Sequence, residues 1–121
     1  MIAEDLTERV RAICLAMPEA TEKTSHGSPA FFVRKQFVQL WAGGHHDDDF
    51  PHLWAAAPAG VQAEVVESQP ERFFRPPYVG HRGWIGMRLD GAVDWQEVAA
   101  VCLDAYRTVA PKKLVTELDS S

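Results

Sequence analysis

The chain has 121 residues, 46% of them hydrophobic and 24% charged, with a formal net charge of −5. That length and apolar content suit one domain with its own core and exclude an intrinsically disordered chain. The acidic balance excludes a protein whose whole surface attracts nucleic acid, and no apolar run approaches the ~20 residues of a membrane span.

Residues 3–17 are expected to form a helix, because Leu6, Val10, Ile13, Cys14 and Met17 recur at spacings of three and four along one stripe. Pro18 ends it. Glu4, Asp5 and Glu8 break the apolar run that a signal peptide needs, so the protein is read as cytoplasmic. Residues 21–26 alternate weakly as a strand, and Gly27, Ser28 and Pro29 punctuate it. Residues 30–33 and 37–42, rich in β-branched and aromatic side chains, predict a hairpin joined through Arg34, Lys35 and Gln36. A polar loop follows at residues 43–51. Residues 52–57 predict a strand, and Pro58 opens a helix to Ser68 with Val61, Val65 and Val66 on its apolar side.

Residues 70–74 are expected as a short turn, and Pro76 and Pro77 enforce an extended stretch. Residues 84–89 predict a further strand. Asp94 is an N-cap with Glu97 in the capping-box position. Trp95, Val98, Cys102, Ala105, Tyr106 and Val109 then mark the apolar face of a helix, and Pro111 begins a last one. Strands joined by tight turns must be antiparallel. The expected architecture is therefore a single two-layer α+β domain over residues 1–121. An antiparallel sheet of about five strands is flanked by N-terminal and C-terminal helices. Cys14 and Cys102, on apolar helix faces, read as two reduced packing thiols.

The stretch His26-Gly-Ser-Pro-Ala-Phe31 leads into a strand and hairpin, followed downstream by Trp84-Ile-Gly-Met-Arg-Leu-Asp90, Asp94-Trp95 and residues 105–114. In that order and spacing the chain resembles the MmcQ/YjbR family of small bacterial proteins over nearly its whole length. The resemblance implies an antiparallel sheet flanked by helices, similar to secretion chaperones. It also implies a DNA-binding role, a label that rests on likeness to double-winged DNA-binding modules. Two positions depart from the family pattern: the turn at residues 34–36 lacks a glycine, and Ala105-Tyr106 stands where a Ser-Tyr pair is common.

Three groups of residues are candidates for function. Between residues 72 and 89 there is no acidic side chain, while Arg72, Arg75, Arg82 and Arg88 fall there with Tyr78 and His81. Arginines interleaved with aromatics suit phosphate contact and base stacking, so this segment is the expected nucleic-acid surface, with Lys112 and Lys113 as additions. His26 and Ser28 lie two apart, on one face of a strand, and are read as a possible cleft rather than a nucleophile pair, since no acid is placed to orient the histidine. His45, His46 and Asp47 carry metal-ligand chemistry, but adjacent side chains on an extended chain diverge, so these three converge only if the loop bends. No catalytic constellation, cofactor or resident metal is expected. The first expectation is a binding domain with DNA as partner, the second a protein-interaction or small-ligand module, and an enzyme is third.

Overall fold

The computed structural model describes residues 3–120. The chain runs α1 (Ala3–Leu15), β1 (Thr21–Ser25), β2 (Ser28–Val33), β3 (Lys35–Trp41), β4 (His52–Ala55), α2 (Val61–Ser68), β5 (Phe73–Phe74), a 3-10 turn (Gly80–Arg82), β6 (Ile85–Arg88), α3 (Trp95–Val109) and α4 (Lys112–Ser120). One antiparallel sheet takes the order β1-β2-β3-β4-β6-β5. It has six strands, because residues 70–74, expected as a turn, add Phe73 and Phe74 as a short edge strand on β6. No helix among the described residues is long and apolar enough to cross a membrane.

Two hairpins differ from their expected form. His26 and Gly27 alone connect β1 to β2, with φ of 53° and 78°. Positive φ at both central residues is the signature of the type I′ hairpin, whose twist matches that of the strands. Ser28 and Pro29, expected to punctuate the chain, therefore already belong to β2. Between β2 and β3 the polar connection shrinks from three residues to Arg34, which itself adopts φ 66° where a glycine was missed.

The register of that second hairpin decides which side chains face which layer. Phe31 pairs with Val38 but Phe32 pairs with Gln36, so Phe37 is an extra residue, a β-bulge. Phe37 and Val38 are both fully buried. Phe37 meets Tyr106 of α3 edge-on, with ring centroids 5.7 Å apart at 89°. Beyond the bulge the alternation resumes in the opposite phase. Leu40 shares the helix side with Leu53 and Met87, whereas Gln39 and Trp41 turn to the other face beside Trp54 and His52.

The helices α1 and α3 pack on one face of the sheet, α3 across β3 and β4. Leu6, Val10 and Cys14 of α1 meet Val98, Cys102 and Tyr106 of α3 in a core continued by Phe31, Leu40 and Leu53 from the sheet. The Tyr106 hydroxyl donates to the Pro18 carbonyl at 2.8 Å, which ties α3 to the chain leaving α1. Cys14 and Cys102 are both buried and free. Two helices start later than their prolines suggested: α2 begins at Val61, after Gly60, and α4 at Lys112, after Pro111.

Asp94 caps α3 as expected, its carboxylate accepting from the backbone of Gln96 at 3.0 Å and of Glu97 at 3.3 Å. The Glu97 carboxylate reaches Arg72, 2.5 Å away. Asp94→Ala is expected to destabilise the fold by about 1 kcal/mol. Urea denaturation would show this as a lower midpoint with an unchanged slope.

Candidate ligand-binding cleft

The sheet face that α1 and α3 leave uncovered carries Gln39, Trp41, His52, Trp54, Phe74 and Arg88, by their register. Over it fold the loop at residues 43–51 and the segment at residues 75–84. They enclose a cleft of about 610 Å³. Gln36, Gln39 and Trp41 of β3 and Trp54 of β4 line it from the sheet, His45 and His46 from the loop, and Tyr78, Val79 and Trp84 from the segment. Ser25 and His26 contribute the hairpin end of β1.

Gly86 explains why this face stays close-packed beside the cleft. A Cβ there would collide with the Phe74 ring, so the missing side chain lets Phe74 lie flat on β6. Phe74 in turn packs edge-on against Phe50 and His52, with centroids 5.6 and 5.3 Å away.

The loop at residues 43–51 does bend. His45 and Asp48 exchange backbone hydrogen bonds of 2.8 and 2.9 Å, and Gly44 takes φ 89° against the backbone of Asp49. The bend turns the His45 ring inward, so that its side chain is only 9% exposed. It lies 4.7 Å from Trp41, 5.2 Å from Trp54 and 6.0 Å from Tyr78, centroid to centroid. His46 stacks on its outer side at 4.0 Å. Asp47 places a carboxylate oxygen 3.5 Å from Nδ1 of His45 and from Nε2 of His46. The three candidate metal ligands therefore converge, with their donor atoms within 4.8 Å of one another. A fourth ligand group does not join them among the described residues, and the Asp47 backbone N–H already donates to Nδ1 of His45 at 3.3 Å.

The polar side chains of the cleft floor divide into satisfied and unsatisfied ones. Gln39 is buried, yet its amide donates to the carbonyls of Ser25 and Ser28 at 3.1 and 3.3 Å and accepts from Gln36 at 2.7 Å. It pins the hairpin end of β1 and β2 to β3. By contrast, the indole N–H groups of Trp41 and Trp54 and the Nε2 atom of His52 are buried without a partner among the described residues. The His52 Nδ1 lies 2.7 Å from the Phe50 carbonyl. A carbonyl only accepts, so Nδ1 carries the proton and Nε2 presents a bare lone pair.

Burial holds the His52 imidazole below the ordinary histidine pKa, opposed by the Phe50 carbonyl and by Asp48. The folded state thus favours the neutral ring. As pH falls through the unfolded value near ~6.5, the unfolded chain takes up a proton that the fold resists. The His52 contribution to stability is full above that pH and declines on acidification. Urea midpoints at about pH 8 and about pH 5.5 should differ more in the native protein than in His52→Leu, which has no proton to gain.

The arginine segment is divided among several local contacts. Arg72 pairs with Glu97 of α3. Arg88 makes two bonds to Asp90, 3.0 and 2.7 Å, and lies over the Phe50 ring at 3.8 Å. Arg82 is exposed and stands 5.3 Å above the Trp84 ring. Arg75 is exposed and runs along Gly80, while His81 and Tyr78 are also exposed. Tyr78, with φ 65°, reaches the cleft wall. Lys112 and Lys113 are exposed at the start of α4, which supplies no cleft residue. His26 lines the cleft and Ser28 does not. The tryptophans and glutamines that form the floor were not singled out as a site by the sequence, although four tryptophans in so short a chain were a visible signal.

A helix-backed antiparallel sheet whose other face holds a loop-covered aromatic cleft defines the class: a two-layer α+β domain. The chain belongs to the YjbR family, whose model matches residues 15–108. It is also similar to a crystal structure of the Deinococcus radiodurans protein DR2400, which carries a DUF419 domain. The TM-score is 0.70 at 17% identity, covering 98% of this chain and 88% of that one, a likeness of fold alone. No curated protein matches.

Proposed function

We propose that this protein is a small-ligand-binding domain that takes a flat, uncharged ring compound in the cleft. The observation that carries the reading is the cleft itself: about 610 Å³, with Trp41, Trp54, Tyr78 and Trp84 in its walls. Ligand pockets run to roughly 300–1,000 Å³ and are mostly apolar, with a few placed polar groups. Among the described residues no Lys, Arg, Asp or Glu lines this one, which favours a ligand without formal charge. Adenine, uracil, nicotinamide and indole are suitable probes, followed by ligand-observed NMR and by tryptophan emission. Saturable binding that Trp41→Ala removes is the expected result. No binding of any probe at about 10 mM would overturn the reading.

A second reading keeps the nucleic-acid partner but moves the contact to the cleft rim. Exposed Arg75 and Arg82 have no carboxylate in ion-pair reach among the described residues, and they flank Tyr78 and His81. Fluorescence anisotropy with short single-stranded DNA at ~50 mM salt tests it, since phosphate attraction is strongest at low salt. Unchanged anisotropy sinks it. A chaperone-like protein surface has less support, because Leu15 and Tyr78 are the large apolar side chains exposed among the described residues. Two buried free thiols favour a reducing compartment such as the cytoplasm. Labelling them in the native host, with a disulfide as the adverse result, would test that.

A further inference from the structure

Two features of the cleft have no purpose in packing alone. The first is the pair of buried indole N–H groups on Trp41 and Trp54, both in residues more than nine-tenths buried and both without an acceptor among the described residues. An indole N–H can only donate, and leaving it buried and unmet is unfavourable enough that folded proteins rarely tolerate it. The second is His45. Its ring is a flat heteroaromatic group delivered by a surface loop into the space between Trp41, Trp54 and Tyr78, at centroid distances of 4.7, 5.2 and 6.0 Å. Those separations are the ordinary spacing of packed aromatic rings. The loop thus fills the aromatic floor with a ring and supplies no acceptor to either indole.

We propose that the cleft's ligand is a flat ring bearing a carbonyl-type oxygen, and that it takes the position of the His45 imidazole. Once His45 swings out with its loop, the ring packs between Trp41, Trp54 and Tyr78. Its oxygen accepts from the indole N–H groups. This assignment rests on the cleft reading above and narrows it. His45 acts as an internal stand-in that keeps the floor covered while the ligand is absent. The ligand must then compete with it, so the empty cleft is a weakened form of the site.

Matched probe pairs that differ in the oxygen test this: nicotinamide against 3-methylpyridine, and indole-3-carboxamide against 3-methylindole. Their dissociation constants are compared on the native protein, His45→Ala and Trp54→Phe, each first checked for a cooperative thermal transition. The expected result has three parts. The carboxamides bind about tenfold tighter than their methyl partners, one hydrogen bond's worth of selectivity. His45→Ala tightens binding of all four probes. Trp54→Phe drives the carboxamide-to-methyl ratio toward one. Equal affinity within each pair would overturn the oxygen assignment while leaving the cleft reading intact. Weaker binding to His45→Ala would make His45 a contact rather than a stand-in, and would overturn the displacement. Absence of binding by all four probes, in all three proteins, would remove the cleft reading together with this one.

Discussion

Phe37→Ala is expected to destabilise the fold by about 3–5 kcal/mol, the range for truncating a buried aromatic to alanine. In a domain of this size that corresponds to a fall of roughly 10–20 °C in Tm. Three properties of Phe37 place it at this end of the scale. It is fully buried in the apolar core, so the space it leaves is lined by apolar groups and stays dry. It stands edge-on to Tyr106, a pairing worth about 0.5–1.5 kcal/mol beyond the area it buries. It is also the bulged residue of β3, with no opposite neighbour on β2 to relax into the gap. Phe37→Leu keeps most of the volume and loses the edge-to-face contact, so about 1–2 kcal/mol is expected there. Thermal unfolding of the two variants beside the native protein measures both. A loss below ~1 kcal/mol for Phe37→Ala would mean that the bulge collapses and that α3 is not seated on it.

That same bulge marks the boundary of what the sequence makes legible. Helix α3 is readable because its determinants are local: the Asp94 cap and the stripe from Trp95 to Val109 lie within one segment. The hairpins are readable as hairpins, because their strands alternate and their turns are short. The face on which each side chain lands is a different matter. Counting alternate residues from Phe37 puts Gln39 and Trp41 on the helix side. The extra residue sends them to the cleft instead, and only the pairing of Phe31 with Val38 and Phe32 with Gln36 reveals it. The cleft floor depends on that reversal. Strand β5 was missed for a related reason: two residues carry no periodicity, and their order comes from β6. The arginine segment was visible as a charge asymmetry, yet Arg72 finds Glu97, 25 residues away in sequence, and nothing local announces that partner. The side chains of the His45–Asp49 loop can meet only where the chain bends, and the paired backbone bonds of His45 and Asp48 supply that bend.

Trp54 allows packing and binding to be separated by experiment. Trp54→Ala is expected to cost about 3–5 kcal/mol, because a buried ring disappears from beside Trp41 and His45. Trp54→Phe should behave otherwise. It removes part of the ring area, a loss of about 1–2 kcal/mol, but it also removes a buried donor that has no acceptor, which relieves about 1–3 kcal/mol. The two contributions oppose, so the phenylalanine variant is expected to lie within about 1 kcal/mol of the native protein. If the N–H were met by water in solution, the smaller ring would leave a cavity with no compensating relief, and the loss would approach 2 kcal/mol or more. Denaturant unfolding at neutral pH distinguishes the two outcomes. A near-neutral Trp54→Phe would mean that the fold tolerates an unmet N–H that its own stability does not require. Polar groups held unsatisfied at some cost in stability are a recurrent mark of sites shaped for something other than the fold.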